Sequence, residues 1–223
     1  MIPLRDENPT HTKPVITVGL ILANILVFLY QWQLGPRAEG AFVWRMGAIP
    51  YELTHFSDAI SPTPIPLYLT PLTAMFLHDG LLHVGGNMLY LWIFGNNIED
   101  IVGHIRFLIF YTVCGLIATF AHILSSPNSQ LPMIGASGAI AGVLGAYLVS
   151  FPRARIHVLI PIFFFLSSAR IPAVIVLGFW FLLQIWNASA IPGEMGGGVA
   201  WFAHIGGFVA GMVLIIWYRR RRY

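Results

Sequence analysis

Charge is what this sequence has least of. Only 9% of its 223 residues are Asp, Glu, Lys or Arg, whereas about 25% is usual in soluble domains. Hydrophobic residues make up 57% of the chain, and its mean hydropathy is +0.75. These values argue against a soluble enzyme and predict a polytopic membrane protein.

Cysteine is nearly absent as well, with Cys114 as the single thiol. One thiol excludes an intramolecular disulfide, and it leaves no Cys pair for a zinc or redox site. Four of the twelve basic residues form one run at 219–222, so the pI of about 9.2 indicates a membrane anchor rather than nucleic-acid binding. We therefore expect no nucleic-acid partner, no metal and no cofactor.

Long uncharged windows locate the membrane spans, because a bilayer core needs about 20 apolar residues per helix. They predict an all-α protein, a bundle of six transmembrane helices in one membrane-embedded domain over residues 1–223. The predicted spans cover roughly 15–34, 81–98, 105–124, 135–152, 171–187 and 201–218. Short tails remain at about 1–13 and 219–223.

Two further uncharged stretches do not qualify as spans. Residues 59–78 contain four prolines, which a lipid-exposed helix tolerates poorly. Residues 156–169 are too few to cross the bilayer, and Pro161 interrupts them. We predict that both are apolar loops at the membrane interface. We expect no signal peptide, because the first apolar run is long and no small-x-small cleavage site follows it.

The basic residues predict the orientation of the bundle. With a cytoplasmic N-terminus, ten of the twelve Lys and Arg residues fall on the inner side. Only Arg37 and Arg45 fall outside. Both termini are therefore predicted to be cytoplasmic.

Ser137 is one of four polar side chains that stand out within the predicted spans, where burying a polar group in the bilayer costs free energy. It follows Pro132 by five residues and lies in the small-residue run 135–142. Because a proline biases the preceding residue away from helix, Ser137 should lie near a helix N-terminus, where free amides favour negative charge. The alternative is a helix cap or a small-residue packing site.

His204 lies on the same helical face as Gly207 and Gly211. A G-x-x-x-G pair allows close approach of a neighbouring helix, and the fourth predicted span offers a matching surface of small residues. Close approach would bring His204 to Ser137 as the general base of a Ser–His dyad. No acidic residue is placed to complete a triad. The alternative is a histidine bonded to a backbone carbonyl.

His83 and Asn87, spaced i and i+4, project from one face of the second span. Both can donate hydrogen bonds, so with the backbone N–H of Ser137 they could surround an oxyanion. The alternative is a polar clamp between helices. His78 and Asp79 precede them, but this spacing suits no common zinc helix.

Three motifs on the second, fourth and sixth spans resemble the rhomboid intramembrane serine proteases. They are His83-Val84-Gly85-Gly86-Asn87, Gly135-Ala136-Ser137-Gly138, and Ala203-His204 followed by Gly207 and Gly211. The resemblance covers about 15–218. It implies that Ser137 is the nucleophile, His204 the base, and His83 and Asn87 the oxyanion donors. It also implies a structural role for His78, an acidic position at Glu99, and a first loop lying laterally in the outer leaflet.

Two positions depart from the family pattern. Ala141 stands where some bacterial members have a tyrosine that stacks on the catalytic histidine, so another residue must hold His204. A Trp-Arg pair often found in the first loop is missing before residues 72–76. The anchoring of that loop could therefore differ from other members.

These observations predict an intramembrane serine endopeptidase that acts on transmembrane-protein substrates in the lipid bilayer. The expected location is a bacterial inner membrane, with the site opening to the extracytoplasmic side. Trp180 and Phe181 of the fifth span should form a lateral gate against the second span, and the loop 193–198 a cap. The competing functions are a non-catalytic relative that binds or shuttles membrane proteins, and a transporter or channel.

Overall fold

The computed structural model describes residues 1–58, 60–162, 165–190 and 199–220. Within those ranges the chain forms nine α-helices, one 3-10 turn (Leu67–Leu69) and three strands. The helices are α1 (Val15–Gln33), α2 (Gly35–Met46), α3 (Pro50–His55), α4 (Thr70–Ala74), α5 (Leu81–Val102), α6 (His104–Ser125), α7 (Ser137–Ser150), α8 (Ala173–Ala190) and α9 (Trp201–Arg220). The strands are β1 (Ile2–Asp6), β2 (Arg155–Ile162) and β3 (Phe165–Pro172).

The prediction of an all-α polytopic membrane protein is confirmed, because long helices occupy the six predicted positions. Among the described residues, α1, α6, α8 and α9 are long and apolar enough to cross a bilayer. Helix α7 is shorter. Its 14 residues give a length of about 21 Å against a hydrocarbon core of about 30 Å. If its C-terminal end reaches one membrane surface, its first residue, Ser137, lies below the other.

A buried polar network joins α1 to α5. The Glu99 carboxylate accepts hydrogen bonds from the backbone N–H groups of Ile16 and Thr17 and from the Thr17 hydroxyl. Helix α1 has no side-chain cap of its own, so Glu99 satisfies amides that its first turn leaves unpaired. This contact fixes the start of α1 against the end of α5.

The segment between α1 and α5 is more ordered than an apolar loop. The predicted loop 59–78 contains the 3-10 turn and α4, and the unpredicted helices α2 and α3 precede it. Residue 59 lies outside the described ranges. The backbone N–H of Gly135 donates to the carbonyl of Ala74 at 2.8 Å, and Ala48 pairs with Met133. These backbone hydrogen bonds hold the segment against the residues that precede α7. They give its backbone partners that a long helix, which its prolines prevent, would otherwise supply.

A three-stranded antiparallel sheet, in the order β1-β2-β3, corrects the prediction that 156–169 is an interfacial loop and that 1–13 is a plain tail. Ile156 and Val158 are fully buried, and they alternate with more exposed neighbours. That period of two is the pattern of a strand with one covered face. The Tyr147 hydroxyl donates to Asp6 at 2.6 Å, which attaches β1 to the end of α7. We call this end of the bundle the sheet end.

Helices α7 and α9 pack with their backbones in direct contact. A Cβ added to Gly207 would overlap the carbonyl oxygen of Gly138, and one added to Gly211 would overlap that of Gly142. Gly145 is equally close to the backbone of Phe208. Only glycine permits this separation, so the G-x-x-x-G face seen in the sequence forms the contact between these two helices.

Candidate active site

Ser137 and His204 meet at the end of the α7–α9 contact that lies away from the sheet end. Ser137 is the first residue of α7, and His204 lies in the first turn of α9. The Ser137 Oγ and the His204 Nε2 are 2.9 Å apart, which is hydrogen-bond distance. Both side chains are half-buried. The glycine contact thus sets the separation of a serine hydroxyl and an imidazole that are 67 residues apart in the chain.

The second ring nitrogen of His204 also has a partner. Its Nδ1 lies 2.8 Å from Oε1 of Gln184, a buried residue of α8. The indole of Trp180 lies 5.8 Å from the imidazole, and that of Trp201 lies 6.1 Å away on edge. These three residues surround the ring in a chain that has Ala141 at the position where some relatives have a stacking tyrosine.

His83 approaches the serine across Gly135. A Cβ on Gly135 would lie 2.8 Å from His83 Nε2 and 3.7 Å from Ser137 Oγ, so the two side chains flank this glycine. Its φ of +114° also disfavours any other residue. On its far side, the His83 Nδ1 lies 2.6 Å from an Asp79 carboxylate oxygen. Because a carboxylate only accepts hydrogen bonds, the proton of this bond lies on Nδ1.

Asn87 is held by the histidine that precedes α5. Its Nδ2 donates to Nε2 of His78 at 3.0 Å, and the backbone of His78 is bonded in turn to the side-chain amide of Gln31. Burial, and next the neighbouring charge of His83, lower the pKa of His78 to about 4. His78 is therefore neutral near pH 7 and can accept this bond. An amide nitrogen carries two protons, so one remains for a ligand.

A cavity of about 420 Å³ brings the four predicted site residues together. Its lining includes His83 and Asn87 from α5, Ser137 from α7 and His204 from α9. Tyr90 of α5 and Trp180 of α8 also line it, so the cavity lies between these two helices. A similar cavity of about 440 Å³ near Arg106, between α6 and α9, is lined mainly by apolar side chains, and no serine or histidine is among the described residues that line it.

The aromatic side chains of α8 pack differently from our expectation. Phe181 stacks on Phe208 of α9 with ring centres 4.4 Å apart, and Trp180 lies 6.0 Å from the same ring. They were expected to pack against the second span, which is α5. The space between α8 and α5 is instead where the cavity lies. The predicted cap at 193–198 falls outside the described residues.

The sequence alone predicts no role for Gln184 or for the Asp79 carboxylate beside His83. Gln184 is a polar side chain inside a predicted span, so the rule that selected the other four residues would also have selected it. The sequence suggests for Asp79 only a metal-ligand role with His78 and His83, and the spacing argues against that role. In the structure Asp79 bonds to His83, whereas His78 bonds to Asn87, so these three side chains do not converge on one point.

The class of protein follows from the fold and the cavity: a multi-pass helical membrane protein with a hydrogen-bonded serine and histidine within its bundle. Residues 68–221 match the family described as the Rhomboid domain. The chain belongs to the rhomboid family.

Three relatives illustrate the similarity. The presenilin-associated rhomboid-like protein, mitochondrial, of Homo sapiens is 26% identical over 193 residues, covering 84% of this chain and 47% of that protein. Rhomboid protein 1, mitochondrial, of Saccharomyces cerevisiae is 33% identical over 216 residues, covering 94% of this chain and 54% of that protein. Rhomboid protease GluP of Bacillus subtilis is 36% identical over 129 residues, or 56% of this chain and 24% of that protein.

The chain spans about half the length of the two mitochondrial relatives. A multi-pass location in a membrane is supported by the family and by the apolar helices. The relatives come from mitochondria as well as from a bacterium, so they do not support the prediction of a bacterial inner membrane.

Proposed function

We propose that this protein is an intramembrane serine endopeptidase that hydrolyses peptide bonds in or near the transmembrane segments of membrane-protein substrates. The observation that carries the proposal is the 2.9 Å hydrogen bond between Ser137 and His204 inside a cavity. A serine hydroxyl is a weak nucleophile unless an adjacent base accepts its proton. Membership of a family that includes a named rhomboid protease supports the same conclusion.

In the first half of the reaction, the Ser137 Oγ attacks the carbonyl carbon of the peptide bond while His204 Nε2 takes the hydroxyl proton. The C–N bond then breaks, and the same nitrogen returns the proton to the leaving amine. A water molecule next attacks the ester carbonyl, again giving its proton to His204. The Ser137–acyl bond breaks with the return of that proton to Ser137 Oγ, which releases the second product and restores the hydroxyl.

The negative oxygen that forms in each half needs hydrogen-bond donors. We assign the Asn87 amide, the backbone N–H of Ser137 and His83 Nε2 to this role. His83 can donate from Nε2 only as an imidazolium, because its Nδ1 proton is committed to Asp79. The Asp79 carboxylate orients the ring through the Nδ1 bond, and this gives Asp79 a supporting role in the oxyanion site.

Access for a substrate helix is proposed to lie between α5 and α8, where the cavity is lined by Tyr90 and Trp180. A helical segment must unwind there, since a helix keeps its carbonyls bonded. With both termini and the sheet end on the cytoplasmic side, as the basic residues predict, the catalytic cavity lies toward the opposite leaflet. Water would then reach Ser137 from that side.

A mechanism-based phosphonate or isocoumarin probe tests the proposal on the detergent-solubilised protein. We expect a single label at Ser137, lost in Ser137→Ala and greatly reduced in His204→Ala, and insensitive to chelators. Ser150→Ala is the matched control, because Ser150 is a half-buried serine at the other end of the same helix. Labelling that persists undiminished in His204→Ala would contradict the dyad, and chelator-sensitive proteolysis would contradict the serine mechanism.

The same assay separates the proposed enzyme from a non-catalytic relative that binds or shuttles membrane proteins. Such a relative would bind transmembrane proteins without reacting with the probe at Ser137. For the enzyme, Asn87→Ala should lower kcat by about 10²–10³, the usual cost of losing one oxyanion donor, with little change in KM. An unchanged kcat would remove Asn87 from the oxyanion site.

A further inference from the structure

We propose that Gln184 is a positioning residue for the catalytic base: its side-chain carbonyl holds the His204 ring so that the unprotonated Nε2 faces Ser137. This inference rests on the proposed function. The Gln184 Oε1 lies 2.8 Å from His204 Nδ1, and the side chain is 5% exposed. Gln184 would thus take the place that an acid occupies in a catalytic triad.

The orientation of the Gln184 amide follows from its second hydrogen bond. Its Nε2 donates to the backbone carbonyl of Trp180 at 3.0 Å, one turn earlier in α8. A carbonyl accepts and cannot donate, so this bond requires the NH₂ group of the amide to point back along the helix. The oxygen of the amide is consequently the atom directed at His204.

The tautomer of His204 follows from the orientation of the amide. A side-chain carbonyl oxygen can only accept, so the proton between Gln184 and His204 belongs to Nδ1. In the neutral ring the other nitrogen, Nε2, then carries the lone pair and accepts the Ser137 hydroxyl proton. The opposite tautomer would point an N–H at the serine and could not act as a base. A neutral amide therefore selects the reactive form of the ring.

The hydrogen bond between Gln184 and His204 also joins two helices, α8 and α9. Ser137 and His204 are fixed by the backbone contact of α7 with α9, whereas Gln184 reaches His204 from α8. Among the described residues, the titratable groups outside the dyad whose charge acts on His204 are His83 of α5 and His122 of α6. No carboxylate is among them. A carboxylate introduced at position 184 would therefore add a single negative charge beside the His204 ring.

The experiment compares three variants: Gln184→Leu removes the acceptor, Gln184→Glu replaces it with a charged one, and Asn187→Leu is the control. Asn187 is a half-buried amide one turn further along α8. Probe labelling of Ser137 is measured against pH, with thermal unfolding in parallel. Gln184→Leu should slow labelling several-fold, because only part of the His204 population would then present an unprotonated Nε2 to Ser137. Asn187→Leu should label at the wild-type rate.

Gln184→Glu should move the labelling profile rather than abolish it. A carboxylate beside Nδ1 stabilises the imidazolium, so a higher pH is needed to obtain the neutral base. The pH of half-maximal labelling should rise by about one unit or more, the usual effect of an adjacent opposite charge, with rates near wild type at alkaline pH. A residue with only a packing role would not shift this profile.

A readout independent of catalysis keeps the two proposals separate. ¹⁵N-histidine NMR of the solubilised protein, with His204→Ala to assign the signal, reports which ring nitrogen carries the proton. We expect Nδ1–H in wild type and a mixture of tautomers in Gln184→Leu. If Ser137 labels normally in Gln184→Leu and the tautomer is unchanged, the positioning role is wrong and the protease stands. If wild type never labels but the tautomer still changes in Gln184→Leu, the protease is wrong, and what remains is that Gln184 sets the tautomer of His204.

Discussion

The two contacts that α9 makes near His204 differ in kind. On one side, α7 lies so close that Gly207 and Gly211 meet the backbone of α7 directly. On the other side, α8 is separated from α9 by aromatic rings, with Phe181 stacked on Phe208. The first contact positions the Ser–His pair, and the second positions Gln184 and one wall of the cavity. Nucleophile and base are thus set by rigid backbone, whereas the proposed orienting group depends on side chains that can rearrange.

The largest effect is expected from a methyl group placed in the α7–α9 contact. In Gly211→Ala the new Cβ overlaps the carbonyl of Gly142, and neither backbone can yield locally. The helices must separate, at a cost of roughly 3 kcal/mol, the upper end of ordinary overpacking. Thermal unfolding in detergent should show a large decrease in Tm, and Ser137 labelling should fall with it.

Gly178→Ala is the matched control for that substitution. Gly178 lies inside α8, and a Cβ there would meet no atom within 4 Å. Because alanine favours helix over glycine by about 1 kcal/mol, this variant should be as stable as wild type or more so. Equal losses in both variants would show that the α7–α9 contact is no tighter than the rest of the bundle.

A smaller effect is expected from loosening the α8–α9 contact. Phe181→Ala removes the stacked ring, and such aromatic pairs contribute about 1 kcal/mol beyond burial. Tm should fall modestly. If α8 is the gate, cleavage of a transmembrane substrate should rise, because the groove beside α5 opens more readily.

Labelling by a small probe distinguishes access from chemistry in the same variant. A small probe reaches Ser137 without lateral opening, so Phe181→Ala should not increase its rate. A rise in both rates would mean that the ring contact restrains the dyad itself. A cleavage rate equal to that of wild type would place substrate access elsewhere.

A pH-dependent effect is expected on the α5 side of the cavity, where a hydrogen-bonded network holds Asn87. Burial lowers the pKa of His78 to about 4, whereas the unfolded value is about 6.5. At pH values between these two, the unfolded chain binds more protons than the folded one. The contribution of His78 to the free energy of unfolding is therefore fully present above about pH 6.5 and decreases as the pH falls from there to about 4. Wild-type Tm should decline over this range. His78→Gln should decline less, because its side chain does not titrate.

The difference between the two Tm curves isolates His78, since the other histidines are common to both proteins. Parallel curves would mean that His78 is as easily protonated in the folded protein as in the unfolded one. In that case Asn87 would not be held by a neutral imidazole.

Much of the fold and part of the site could be predicted from the sequence. Charge-free windows located the six long helices to within a few residues, because the length and apolarity of a span are local properties. The face that carries His204, Gly207 and Gly211 was also readable, since helical periodicity is local. The strands Arg155–Ile162 and Phe165–Pro172 were not predicted, although Ile156 and Val158 alternate with more exposed neighbours as a strand requires. An apolar run that contains a proline indicates a loop as readily as a strand.

What the sequence by itself determined is the class of protein, the positions of the spans and the residue types available for chemistry. The tertiary structure decided which of those residues meet. Gln184 reaches His204 from another helix, and the Tyr147 hydroxyl of α7 reaches Asp6 of β1. Such choices depend on the separation and rotation of whole helices. Those are set by the summed packing of many side chains, and no local spacing in the chain encodes them.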